Sequence, residues 1–321
     1  MLESNNLTLV KADKSKAVVI MNKEKLEEKV NNFIRENDMK LLNKDPTDSY
    51  HKQIQQTIQK SNILIDKRIH RYLMNVKPKA PQLNAYIKTH KDNQPIRPVI
   101  NNIQAPSYKI ARFINKRLKN FLNLPHTYNV ENSQQVAQEL LKLRTTNKMR
   151  FITLDIKDLY VNLPVSGITH TTQFCLQMHN NNNKQLNDQI LNIIETIIKQ
   201  IYFQHGNEIY QQEKGIAMGS PISSTIAEIY LQYSENVYIK HWLDSKEILL
   251  YKRYVDDVLI AYDKEKIDEQ IILQQINGTD NNLQFKMTTE ANTINYLDIL
   301  ICRNNINTQS SCTGNQQRQE Q

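Results

Sequence analysis

The sequence predicts an α+β fold on three observations. Apolar residues recur at helical spacing in several segments. Strict alternation marks a strand at Phe151–Ile156, placing Ile152, Leu154 and Ile156 on one face and Thr153 and Asp155 on the other. Two β-rich arms flank a short acidic turn in the run LLYKRYVDDVLIAY, residues 249–262, as expected of an antiparallel hairpin. Six glycines in 321 residues, with no GxGxxG or GxxxxGK[ST] run, argue against Gly-rich dinucleotide and P-loop folds.

Residues 17–21 form a short β-type run. From Lys23 to about Asn37, Leu26, Val30, Phe33 and Ile34 mark a helix. Residues 50–74 read as helical, with Ile54, Ile58, Ile65 and Ile69 on a stripe. Pro78, Pro81, Pro95 and Pro98 break the next stretch into extended pieces. Residues 108–122 form a basic helix with Lys109, Arg112, Lys116, Arg117 and Lys119, either tracking a nucleic-acid backbone or presenting a solvated face. A second region starts near Arg150. Residues 179–189 read as a polar loop, Ile190–Ile201 as an amphipathic helix, and the segment after Pro221 as another helix through Ile226, Ala227, Tyr230 and Leu231. Beyond Arg303 periodicity stops, and residues 303–321 read as a disordered polar tail.

Lys and Arg number 41 against 33 Asp and Glu, a formal charge of +8 that suits a polyanionic partner. Charge alone fits a merely basic protein equally well. Cys175, Cys302 and Cys312 lie far apart with no metal-ligand spacing, which argues against a zinc site or disulfide scaffold. No apolar run approaches the ~20 residues of a membrane span, so a soluble intracellular protein without a membrane partner is expected.

Asp155 sits late in an alternating strand, on the face opposite the aliphatic residues, and Asp256 and Asp257 sit at the turn of the hairpin. Acids held close between apolar arms resist desolvation and raise one another's pKa. Divalent cations remove that cost, and paired carboxylates bridging two ions are the usual arrangement for nucleotidyl transfer. A solvated acidic turn is the plainer alternative for the tetrad alone.

Its company is informative. Arg97-Pro-Val-Ile100 follows Lys88-Thr-His-Lys91; then come DIKDLYVNLP at 155–164, QEKGIAMGSPIS at 212–223, YVDD at 254–257 and INYLDI at 294–299. Together these resemble, in order, the fingers, first palm, template-packing, metal-binding and primer-grip motifs of reverse transcriptases. The opening KADKSKAVVI, with YIKTHK, DLYVNLP and AMGSPIS, resembles Penelope-like retroelements in particular. Ser15, Ala85, Ile87 and Asp158 depart from that pattern.

The resemblance implies right-hand polymerase fingers and palm, an antiparallel sheet backed by helices, with the thumb largely missing. It divides the chain into an N-terminal extension (1–78), fingers (79–148), palm (149–302) and tail (303–321). It implies an RNA-directed DNA polymerase of a retrotransposon, acting in the nucleus on an RNA template, a DNA primer and deoxynucleoside triphosphates with two Mg²⁺ or Mn²⁺ ions. Asp155 and Asp256 would bind both metals, with Asp257 and the Ile156 carbonyl assisting. Lys88 and Arg97 would grip the triphosphate, and Tyr160 would exclude a 2′-hydroxyl. Gln212, Gly215 and Gly219 would shape the nucleotide pocket. Lys286 is a speculative acid toward pyrophosphate; a surface lysine is its plainer reading. RNA-dependent RNA polymerases place a second Asp where Leu159 or Tyr160 stands, which favours deoxynucleotides. A truncated, catalytically silent nucleic-acid-binding remnant is the competing expectation.

Overall fold

The computed structural model describes residues 6–122, 124–144, 146–179, 183–289, 293–302 and 310–311. The chain opens with strands β1 (Leu7–Lys11) and β2 (Val18–Asn22), helix α1 (Lys23–Glu36), β3 (Lys40–Leu42), and helices α2 (Thr47–Lys60) and α3 (Lys67–Met74). Next come β4 (Gln82–Ile87), β5 (Ile96–Asn101), α4 (Tyr108–Phe121), α5 (Ser133–Leu141), β6 (Met149–Ile156) and α6 (Leu159–Asn162). Helices α7 (Val165–His179) and α8 (Lys184–Ile198), the hairpin β7 (Tyr202–His205) and β8 (Glu208–Gln211), and the long α9 (Ser223–Asp244) follow. The chain continues through β9 (Ile248–Tyr254), β10 (Asp257–Asp263), α10 (Glu269–Thr279), β11 (Phe285–Thr289), β12 (Thr293–Tyr296), β13 (Ile299–Cys302) and β14 (Ser310–Ser311). The architecture is α+β, as the sequence predicts.

Two compact units form. The first combines residues 1–123 with 163–227, the second 124–162 with 228–321. The first holds a five-stranded sheet in the order β3-β8-β7-β4-β5, antiparallel except where Gln82 of β4 meets Gln204 of β7. Pro98 cannot donate to a ladder, and it sits in β5 at the sheet edge, where that loss is tolerated. Val30 and Ile34 of α1 pack with Met39, Ile100 and Phe203 in this unit's core.

Two helical boundaries differ from the sequence reading, for local reasons. Residues 50–74 are two helices, because the Asp66 side chain accepts from the Arg68 and Ile69 N–H groups and starts a new one. The polar stretch 183–189 is largely helical. Asn183 caps α8 by accepting from the Leu186 N–H at 3.0 Å, so the helix begins six residues before the first apolar position expected. Most of the 303–321 tail lies outside the described residues.

The second unit is built on a four-stranded antiparallel sheet in the order β11-β6-β10-β9. Alternation gives it two buried faces. Ile152, Leu154, Val258, Ile260 and Tyr251 pack on one side with Ile272 and Ile276 of α10 and Ile239 of α9. Met149, Phe151, Leu259 and Ala261 pack on the other with Ile294, Tyr296, Ile299 and Ile301 of the β12–β13 hairpin. Fully burying each such aliphatic side chain contributes about 1.5–3 kcal/mol.

Gly219 has φ +110, and a Cβ there would lie 2.2 Å from the Ile100 carbonyl oxygen. The Ile100 N–H also donates to the Met218 carbonyl at 2.9 Å, so backbone meets backbone and neither side can yield cheaply. Gly278, near the end of α10, has open space around it. Gly219→Ala should therefore destabilise the fold by about 1–3 kcal/mol or more, whereas Gly278→Ala should be neutral or stabilise it by up to about 1 kcal/mol. Denaturant midpoints of the two variants check this contrast.

Candidate active site

The register of the four-stranded sheet sets one row of side chains. Lys286 of β11 lies opposite Asp155 of β6, Asp155 opposite Asp257 of β10, and Asp257 opposite Tyr254 of β9. All four are exposed. Directly opposed residues in an antiparallel pair have Cβ atoms about 4.5–5.5 Å apart, and like charges so placed repel. Two carboxylates therefore face each other, with an ammonium in register on the far side of Asp155. Lys286, weighed above as a surface lysine, is thus a strand neighbour of the central aspartate.

Asp256 joins the row through the backbone, since the Ile156 N–H donates to the Asp256 carbonyl at 3.0 Å. The Ile156 side chain is buried. Asp256 follows Val255 in the two-residue connection between β9 and β10. Val255 has φ +54, a conformation β-branched residues rarely adopt. The Asp257 carbonyl accepts from the Tyr296 hydroxyl at 2.9 Å. Burial, with the charge of Asp257 adding to it, pushes that phenol well above its ordinary range and keeps it a donor.

Tyr160 lies half-buried in α6, just past Asp155. Asp158 starts that turn in the left-handed region at φ +46, which Asp tolerates, and its carbonyl accepts from the Val161 and Asn162 N–H groups.

The remaining expected residues belong to the first unit. Arg97 pairs across the β4–β5 hairpin with Tyr86. Lys88 follows on the same face by alternation, its N–H donating to the Pro95 carbonyl at 2.9 Å. Asp13 Oδ2 lies 3.1 Å from Arg97 Nε as an ion pair, and the Asp13 N–H donates to the Ile87 carbonyl at 2.7 Å. Asp13 of the opening KADK segment therefore sets a buried negative charge beside the guanidinium. Gln212 is buried and donates to the Lys214 carbonyl at 2.5 Å, with Gly215 next at φ +75. Gly219 and Pro221 border a cavity of about 700 Å³, lined also by Tyr86, Tyr108, Arg112 and Lys116.

Sequence reasoning missed one group entirely. Arg253 has no exposed surface and lies between Glu228 and Glu235 of α9. Burial pushes the Glu235 carboxyl up, against the pull of Arg253. Burial acts the same way on Glu228, but the Arg253 hydrogen bonds win there and hold its carboxyl below the usual range. The signal was present: Arg253 is two residues from inward-facing Tyr251 on an apolar arm, and acids seven apart share a helix face.

Oxygen donors suit hard divalent cations, and Asp155, Asp256 and Asp257 supply an all-oxygen set at one end of the sheet. Among the described residues, no three Asp, Glu, His or Cys side chains converge into a ready-made cage. The fit therefore rests on donor chemistry and on the facing aspartates.

The family profile "Reverse transcriptase (RNA-dependent DNA polymerase)" matches residues 88–291. No curated protein matches the chain significantly. Among solved structures it resembles telomerase of Candida tropicalis in complex with a fragment of telomeric RNA (TM-score 0.64, 11% identity, covering 95% of this chain and 51% of that one). It also resembles telomerase of Candida albicans with such a fragment (TM-score 0.60, 13% identity, 95% and 54%) and the apo enzyme of C. tropicalis (TM-score 0.60, 10% identity, 96% and 57%). The chain thus spans about half the length of these telomerases, and at such identities the likeness is one of fold. No helix among the described residues is long and apolar enough to cross a membrane. With its palm-like sheet and a profile match over well over half its length, the chain belongs to the reverse transcriptase (RNA-dependent DNA polymerase) family.

Proposed function

We propose that the chain is an RNA-directed DNA polymerase of a Penelope-like retroelement, extending a DNA primer on an RNA template in the nucleus. The observation that carries this reading is the exposed row Lys286–Asp155–Asp257–Tyr254 across the sheet, with Asp256 in the adjoining turn. On this reading the palm is 149–302, the fingers 79–148, and residues 1–78 an N-terminal extension. The subtype and nuclear setting rest on the KADKSKAVVI, YIKTHK, DLYVNLP and AMGSPIS runs alone.

Each group then has a task. Asp155 and Asp256 would hold two Mg²⁺ or Mn²⁺ ions, assisted by Asp257 and the Ile156 carbonyl. When bound, the ions would activate the primer 3′-oxygen and neutralise charge on the departing pyrophosphate. Lys88 and Arg97 would hold the incoming triphosphate, and the fork of Arg97, steadied by Asp13, suits bidentate contact with phosphate oxygens. Lys286, opposite Asp155 in the sheet register, would donate a proton toward pyrophosphate. Tyr160 would lie beneath the sugar. Gln212, Gly215 and Gly219 would shape the nucleotide pocket. The cavity beside Gly219, with Tyr86 and Tyr108 for stacking and Arg112 and Lys116 for phosphates, has the chemistry of a single-stranded template path.

Oligo(dT)-primed poly(rA), deoxythymidine triphosphate and Mg²⁺ or Mn²⁺ test the proposal. Extension by the wild type, reduced at least a thousandfold in Asp155→Asn and Asp256→Asn, is expected. No extension by folded wild-type protein would refute it and favour a catalytically silent nucleic-acid-binding chain.

Tyr160→Ala should raise incorporation of ribonucleotides relative to deoxynucleotides by at least tenfold, read as the ratio of kcat/KM values. An unchanged ratio would remove Tyr160 from sugar selection.

A further inference from the structure

The turn carrying Asp256 and Asp257 has an unfavourable backbone. Val255 is β-branched, 41% exposed, and held at φ +54. That is the first position of a two-residue hairpin connection, where a positive φ calls for Gly. Strain of this kind persists only where the surrounding structure holds the backbone in place.

Arg253 contacts this backbone directly, through the Val255 carbonyl. Its guanidinium has five N–H donors, and all five are used. Nε donates to Glu235 Oε1 at 2.5 Å. Nη2 donates to Glu228 Oε1 at 2.8 Å and Glu235 Oε2 at 3.2 Å. Nη1 donates to Glu228 Oε2 at 3.1 Å and to the Val255 carbonyl at 3.0 Å. The acids are fixed in turn. Glu235 accepts from the Tyr251 hydroxyl at 3.2 Å, and Glu228 from Asn129 at 2.8 Å and Gln232 at 2.7 Å. The backbone of Arg253 is clamped as well, donating to the Tyr128 carbonyl at 2.9 Å and accepting from the Val130 N–H at 2.8 Å.

We propose that Arg253 is a positioning residue: clamped between Glu228 and Glu235, it holds the Val255 carbonyl and so fixes the left-handed turn that aims Asp256 and Asp257. Four of its five donors orient the fork, and the fifth reaches the turn. Lysine cannot substitute, because one ammonium nitrogen with three donors cannot span two carboxylates and the carbonyl. This inference rests on the polymerase reading only in what the aspartates are for; the mechanical link stands on the geometry.

The test is amide hydrogen exchange of residues 255–257 in wild type, Arg253→Lys, Val255→Gly and the double variant. Arg253→Lys should speed exchange in the turn at least tenfold beyond any change in the central amides of β6 and β10. Glycine is at ease at positive φ, so Val255→Gly in the Arg253→Lys background should return turn exchange to within about threefold of wild type. Turn exchange unchanged by Arg253→Lys, or no restoration by Val255→Gly, overturns the proposal. Should Arg253→Lys not fold, Glu228→Gln loosens one side of the clamp and should move turn exchange in the same direction; no movement there counts equally against it. Since exchange needs no turnover, an inactive wild type would refute the polymerase reading without touching this result. In active enzyme, Arg253→Lys should lower kcat at least tenfold and leave KM for nucleotide within twofold. A raised KM at unchanged kcat would contradict the assigned role.

Discussion

Strand β6 satisfies two demands at once, and the second unit is organised around how it does so. It is paired on both edges, by β10 and β11, and its side chains are buried on both faces along most of its length. At its end this apolar strand delivers Asp155 to solvent. The alternation that sends Ile152 and Leu154 into one core, with buried Ile156 next on that face, puts Asp155 on the opposite face, and register then fixes its neighbours as Asp257 and Lys286. A one-residue slip would turn Asp155 inward and Ile156 out. The aliphatic faces that hold the register thereby hold the acidic row.

The buried ion group of Arg253, Glu228 and Glu235 answers a different demand. Such groups are poor sources of stability, since desolvating the ions offsets their attraction, yet removing one partner costs about 3–5 kcal/mol. What the group supplies is a fixed direction. An aliphatic side chain at 253 would fill the same space and leave the Val255 carbonyl without its donor, and the hairpin would then be free to choose a turn its sequence favours more. Strain at Val255 and satisfaction at Arg253 belong together. In the first unit buried Asp13 pairs with the charge of Arg97 while the β4–β5 ladder carries the hairpin.

The sequence was most legible where a single period dominated. Alternation in Phe151–Ile156 located β6 and its faces, and the arms around Val255–Asp256 located the hairpin. Spacing of Val30 and Ile34, and the basic run from Lys109 to Lys119, located α1 and α4. Legibility failed where one side chain outweighed the period. Asp66 started a new helix inside an unbroken stripe, and Asn183 began a helix within a run that reads as loop. The acids Asp155, Asp256 and Asp257 could be named from order and company. Their row with Lys286 could not, because register across β11 depends on a connection through α10 that pattern alone does not measure. Arg253 escaped notice because a cation in a strand reads as surface until its partners are known.

The central claim, that the acids at the end of this sheet form one divalent-cation site, is tested most directly by isothermal titration of Mn²⁺ into wild-type protein and into the Asp155→Asn/Asp256→Asn variant. Saturable binding by the wild type, weakened at least tenfold in a variant that unfolds at a similar temperature, is expected. Identical binding isotherms for the two proteins would contradict the claim.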